Sequence, residues 1–126
     1  MQEVYGLEDE RISWAALGFP GGMGRSQSVC GALTGGIIAI GLDSGRKTKD
    51  RIEAYAMASQ RARRLYQGFE AAFDHTDCRS LIGPILDDRE AWARLRSSEL
   101  WRWKCPRYVE YVVRTLVEEA GKAGED

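Results

Sequence analysis

At 126 residues, with 44% apolar and 29% charged residues and a net charge of −1, the chain can bury one core and offers no polyanion-binding surface, so a nucleic-acid partner is not expected. The longest uncharged apolar stretch, Val29 to Leu42, is too short and too rich in glycine for an ordinary membrane span. The opening MQEVYGLEDE has no signal-peptide character. A cytoplasmic protein without membrane insertion is therefore expected, folded as a single helical domain over residues 1–126.

Apolar residues recur at helical spacing along most of the chain, and no stretch sustains a period-two alternation. The expectation is an all-α bundle of about five helices around a central, apolar, Gly-rich helix. A first short helix is expected over Glu8 to Leu17, with Ile12, Ala15 and Ala16 inward. It ends at GFPGGMGR, where four glycines and Pro20 forbid a regular element. The second helix starts near Ser26 or Ser28 and runs to Leu42, stopped by DSGR with Gly45 as a left-handed cap. Ile37, Ile38, Ile40 and Leu42 should lie in its core. The third helix, from about Thr48 to Phe73, should bury Ile52, Tyr55, Ala62, Leu65, Tyr66, Phe69 and Phe73, while RARR at 61–64 reads as a solvated face.

Beyond it, Asp77 is a natural N-cap for a short turn that begins at Cys78 and ends at Gly83-Pro84. Asp87-x-x-Glu90 approximates a capping box for a segment reaching about Leu95. The Trp-rich LWRWKCPRY leads into a last helix, with Cys105 as N-cap and Pro106 as first helical residue. Val109, Val112, Val113, Leu116 and Ala120 should form its buried face, and GKAGED should fray.

Three cysteines, an odd number, suit a disulfide framework poorly. Cys30, Cys78 and Cys105 each fall at or near an expected helix start, where free amides and the helix dipole favour a thiolate, the form that ligates metals and attacks disulfides. An antiparallel helix pair would return Cys78 to the pole of Cys30, and the last helix should bring Cys105 there too. Gly31 and Gly35 leave room beside Cys30 for an inorganic centre, although glycines on this helix also serve close packing. His75, the only histidine, forms H-x-x-C with Cys78, a spacing that metal sites use. Trp101, Trp103, Tyr108 and Tyr111 surround Cys105 and could shield a site or simply pack. The glycine loop fails the spacing of a phosphate loop, and no C-x-x-C-H is present for covalent haem.

Cys30-Gly31-Ala32-Leu33-Thr34-Gly35, preceded by GFPGGMGR and followed by Cys78-Arg-Ser-Leu-Ile-Gly83 and Lys104-Cys105-Pro106, resembles the C_GCAxxG_C_C family of redox-active proteins over about Leu7 to Val117. Members of that family are small and helical and are often encoded beside transporters or oxidoreductases. Similar domains in some multihaem cytochromes set their cysteines around an iron–sulfur centre. The resemblance implies a redox or electron-transfer role with an oxidoreductase or electron carrier as partner. The family pattern has a fourth cysteine, on a helix ahead of the Leu7–Leu17 region, and this sequence does not carry it. A centre on Cys30, Cys78 and Cys105 would take its fourth ligand from His75, an acidic residue such as Asp77, water, a substrate or another subunit.

The leading expectation is a redox protein whose three thiolates hold an iron–sulfur cluster or a similar soft-metal centre. The alternatives are a metal-free thiol–disulfide redox protein and a helical interaction subunit with structural cysteines. Small residues on the second helix and the aromatics near Cys105 suggest a homodimer or higher oligomer.

Overall fold

The computed structural model describes residues 1–85 and 89–125, and the expected Asp87 capping box lies outside them. The elements are α1 (Gln2–Tyr5), α2 (Glu10–Ala15), α3 (Gly31–Lys47), α4 (Arg51–Phe73), α5 (Cys78–Ile82), α6 (Arg89–Arg96), a π-helical turn (Leu100–Lys104) and α7 (Cys105–Glu125). The all-α expectation holds. Among the described residues the only β-type pairing is an isolated antiparallel bridge between Val29 and Asp77. Among the described residues, no helix is long and apolar enough to cross a membrane.

A tight connection joins α3 to α4, with Asp50 capping α4 by accepting from the amides of Ile52 and Glu53. The two helices form an antiparallel pair, and α7 packs against both, running parallel to α3. The register is read from cross-contacts. A Cβ on Gly36 of α3 would stand 2.5 Å from Val112 of α7 and 3.0 Å from Leu65 of α4. One helical turn or two further along, Asp43 of α3 meets Arg61 of α4, which also holds Glu119 of α7. Leu33, Ile40, Leu65, Phe69, Val112 and Leu116 fill the space between the three helices. At the end of α4 and the start of α7, Phe69, Phe73, Tyr108 and Tyr111 stack in tilted and edge-on pairs with centroids 4.8–5.9 Å apart.

Several expectations are corrected. Helix α3 begins at Gly31, not at Ser26 or Ser28, because residues 28–30 are drawn into pairing with 76–78. It also runs past Leu42 to Lys47. Asp43 and Ser44, read as a stop signal, are buried: Asp43 accepts from Arg46 at 2.5 Å, Lys47 at 3.0 Å and Arg61 at 2.9 Å, and Arg61 also reaches Ser44 Oγ at 3.0 Å. Arg61 is therefore not on a solvated face. It is 7% exposed and additionally donates toward Tyr5 of α1, which joins four helices through one guanidinium. Burial alone would raise the Asp43 carboxyl, but the Arg46, Lys47 and Arg61 hydrogen bonds outweigh it and hold the group below its ordinary range.

Of the expected α3 core only Ile40 is fully buried; Ile37, Ile38 and Leu42 are half-buried, since α3 is covered by α4 and α7 on one side and only by the α1–α2 segment on another. On α4 the buried positions are Arg61, Leu65 and Phe69. Ile52 lies about 180° from Arg61 at roughly 100° per residue and is exposed, as is Tyr55. The buried stripe of α7 is Tyr108, Val112 and Leu116, which leaves Val109 and Val113 largely exposed. Cys105 is the first residue of α7 rather than its N-cap, for the π turn runs straight into that helix. Pro106 has no N–H to return to the turn before it, and the loosened i→i+5 register accommodates that gap.

Two predictions follow from this packing. Replacing Gly36 by Ala should cost about 1–3 kcal/mol in chemical denaturation, because both facing helices must yield, whereas Gly41→Ala, with open space around it, should be neutral or stabilising by up to ~1 kcal/mol. Equal effects at the two sites would contradict the three-helix register. The depressed Asp43 group stabilises the fold above the ordinary aspartate range, and that contribution is lost as pH falls through its lowered value. Arg61→Ala should destabilise by roughly 3 kcal/mol near neutrality, and by less in acid once Asp43 is protonated; a pH-independent loss would count against the buried pair.

Candidate functional site

The loop between α2 and α3 reverses the chain through a run of left-handed residues that includes Gly21, Gly22, Met23, Gly24, Arg25 and Gln27. Gly22 is the tightest point. A Cβ there would stand 2.7 Å from the Ser28 backbone and 2.8 Å from the Cys78 Cβ, so the loop lies directly against that cysteine.

From this loop the chain enters the Val29–Asp77 bridge. The Cys30 amide donates to Thr76 O at 2.8 Å and the Cys78 amide to Ser28 O at 2.7 Å. Cys30 and Cys78 each follow a bridged residue, and on an antiparallel ladder such positions share one face as diagonal neighbours, with Cα atoms roughly 7–8 Å apart. Val29 and Asp77 take the other face. Asp77 there caps α5, accepting from the Ser80 amide at 2.9 Å and the Ser80 hydroxyl at 2.7 Å. Cys105 arrives from the start of α7, which lies at the same pole because α7 runs parallel to α3.

All three cysteines line one cavity of about 510 Å³, and none of the described residues lining it has a charged side chain. Its walls come from Phe19, from Trp92 of α6, from Trp101 of the π turn and from Tyr108, with the partly exposed Trp101, Val109 and Val113 at its rim. Gly31 and Gly35 also line it. Gly31 approaches the Phe19 carbonyl, with 3.3 Å to a Cβ built there, and Gly35 has open space beside it. His75 is exposed on the segment before Asp77 and is not among the lining residues; Asp77, not His75, begins the helical turn at Cys78.

The three thiols are free, not disulfide-bonded. Burial raises each of them, which reverses the expectation of stabilised thiolates. For Cys30 the amides of Ala32 and Leu33 lean the other way but do not prevail. For Cys78 the Gln27 amide favours the anion while Cys30 and Asp77 oppose it; for Cys105 the other two cysteines add to the rise and Lys104 offsets part of it. The sulfurs thus disfavour one another's ionisation across the cavity. Their donor chemistry suits a soft metal, yet among the described residues no three His, Cys, Asp or Glu side chains are grouped so as to hold a metal ion.

Sequence reasoning missed Gln27 and Trp92. Gln27 is buried, donates to Gly83 O at 2.8 Å, accepts from the Ile85 amide at 2.8 Å and points its amide nitrogen at Cys78 Sγ, 3.9 Å away. No local pattern marks a glutamine in a glycine loop as buried. Trp92 sits on a short helix whose packing depends wholly on tertiary contacts. Tyr108 was legible only as one of several aromatics; its hydroxyl donates to Leu81 O at 3.2 Å and ties α7 to α5.

The raised thiols carry a prediction. Alkylation of the reduced protein by iodoacetamide should be slow at neutral pH and should rise at higher pH than that of a free cysteine. Because the folded groups bind protons more tightly than the unfolded ones, stability should fall as pH climbs from the ordinary thiol range through the raised values. Fast labelling of all three at neutral pH would show that burial does not govern them.

The searches of curated proteins and of solved structures give no match. A comparison with known protein families matches residues 1–119 to the one described as "Putative redox-active protein (C_GCAxxG_C_C)", so that the chain, with its three cysteines on one cavity, belongs to that redox-active family.

Proposed function

We propose that this protein is a thiol redox carrier in which Cys30 and Cys78 pass between dithiol and disulfide inside an uncharged cavity, with Cys105 as the third thiol able to attack that disulfide. The observation that carries this reading is the meeting of three free thiols on one cavity, two of them held as neighbours by a backbone bridge. In the oxidising direction two S–H bonds break, one S–S bond forms, and two electrons and two protons leave with the acceptor. A disulfide requires Cα atoms roughly 4.4–6.8 Å apart, so closure asks for a small approach of Cys30 and Cys78. The reverse step requires a dithiol-bearing redox partner protein, oxidised as this disulfide is reduced. Raised thiols keep the resting dithiol protonated and slow to react with stray oxidants.

A second reading places an iron–sulfur cluster or another soft-metal centre on the same three thiolates. It is favoured by the identity of the donors and by the mutual opposition of their charges, which a bound cation would relieve. Such a centre would supply one-electron transfer. The residues do not form its ligand set as they stand.

The two readings separate in one experiment. Mild oxidation of metal-free protein with diamide should remove two of the three free thiols, with peptide mapping showing a Cys30–Cys78 link, and Cys30→Ser should abolish that link. Visible absorption that appears on anaerobic loading with iron and sulfide and is lost in each single Cys→Ser variant, with no intramolecular disulfide formed by diamide, would favour the metal centre instead.

A further inference from the structure

The chain's net charge of −1 conceals an uneven distribution around the thiol cavity. From Arg94 to Arg107 there are five arginines and lysines against one acidic residue, Glu99. Each of these basic residues stands beside one that lines the cavity: Arg94 and Arg96 flank Leu95, Arg102 follows Trp101, Lys104 precedes Cys105 and Arg107 precedes Tyr108. The lining itself has no charged side chain among the described residues, so the cations surround the thiols without entering their cavity. The charge of Lys104 is nevertheless felt at Cys105 and that of Arg107 at Tyr108. Arg94 is paired with Glu90 at 3.8 Å, and beyond the stretch Glu110 is held by Arg114 of its own helix. Arg96, Arg102, Lys104 and Arg107 are exposed and make no ion pair with any described residue.

The same stretch carries two exposed indoles. Trp103 is 66% exposed, and Trp101, 42% exposed, is at once a cavity wall and part of the surface. Tryptophan and arginine are the side chains that most often dominate protein interfaces. Both tryptophans lie on the π-helical turn, a rare element found mostly at functional sites.

We propose that this basic, tryptophan-bearing turn is the docking face for the redox partner protein, and that the partner meets it with an acidic segment beside its own sulfur. The proposal rests on the dithiol reading above. Charge complementarity selects the partner, because the four exposed cations repel a basic surface and steer an acidic one toward the cavity. An anionic membrane would meet the same side chains, but lipid brings no sulfur to thiols that line a cavity, whereas a protein segment does.

Three short symmetrical peptide disulfides test this, identical except that the residues flanking the cysteine are glutamate, glutamine or lysine. Added anaerobically to the reduced protein, each is cleaved as the Cys30–Cys78 bond forms. Two protein S–H bonds and the peptide S–S bond break, one protein S–S bond forms, and two peptide thiols take up the protons and electrons. At low ionic strength the glutamate peptide should react about tenfold faster than the lysine peptide, with the glutamine peptide between them. The gap should narrow to roughly twofold in about 1 M salt. The double variant Arg96→Glu/Arg102→Glu, which alters exposed side chains only, should invert that ratio, a readout that cancels any general change in thiol reactivity. Trp103→Ala should raise the glutamate-peptide concentration needed for half-maximal rate by roughly fivefold. Equal rates for the three peptides at low ionic strength would overturn the proposal, as would a glutamate preference that the double variant leaves intact. Binding to phosphatidylglycerol vesicles that needs Trp103, with no preference among the peptides, would make the face a membrane contact and overturn it too. If diamide closes the Cys30–Cys78 disulfide while the peptides are not distinguished, the docking face falls and the dithiol reading stands. If diamide closes no disulfide, both fall.

Discussion

Two backbone hydrogen bonds, Cys30 N to Thr76 O and Cys78 N to Ser28 O, hold this molecule's chemistry in place. They tie the residue before α3 to the residue that opens α5, although the whole of α3 and α4 lies between them in sequence. The antiparallel α3–α4 pair makes the bridge possible by returning the chain to its starting pole, and the bridge in turn stops α3 from beginning earlier. Gly22 has no side chain where the loop crosses Cys78, and Gln27 fixes that loop to Gly83 and Ile85. Positioning of the two cysteines is thus built from backbone pairing and one buried amide rather than from ligands.

At the other end of the bundle the same three helices meet in a different way. Arg61 sits between α3, α4 and α7, with Asp43 and Glu119 as counter-charges. A buried ion pair adds little net stability over a well-packed apolar contact, but it penalises any register that separates the charges. That penalty fixes how α7 lies along α3, and with it the place of Cys105. The bundle therefore holds a buried ion pair at one pole and, at the other, a cavity lined by no charged side chain among the described residues. Asp77 acts on Cys78 and Lys104 on Cys105 at the thiol pole, but burial is the larger effect and keeps the sulfurs protonated.

The sequence makes some of this visible. The all-α class, the glycine loop, the Asp77 cap and the meeting of Cys30, Cys78 and Cys105 at one pole are readable, because capping residues, glycine clusters and the length of α4 act locally. Long-range effects are not readable. Asp43-Ser44-Gly45 looks like a helix stop until Arg61 is seen to need Asp43. Nothing in RARR distinguishes the buried Arg61 from exposed Arg63 and Arg64. Lys104-Cys105-Pro106 carries an ordinary helix-start signal, which the π turn overrides by continuing the helix through it. The valines of α7 admit two phases one residue apart, and the contact of Tyr108 with Leu81 decides between them. The helix-start argument for thiolates failed because it weighed amides against nothing; at these partly buried sites desolvation is the larger effect.

The central claim is that thiols distant in sequence share one uncharged cavity and act together. Phenylarsine oxide, an uncharged aromatic reagent whose arsenic bonds two thiols at once, tests it directly on the reduced protein. The account predicts one arsenical bound per chain, consumption of two thiols including Cys30 and Cys78, and release by an excess of a small dithiol. Three thiols that each react with monofunctional reagents while no arsenical is retained would show that the sulfurs do not meet, and would contradict it.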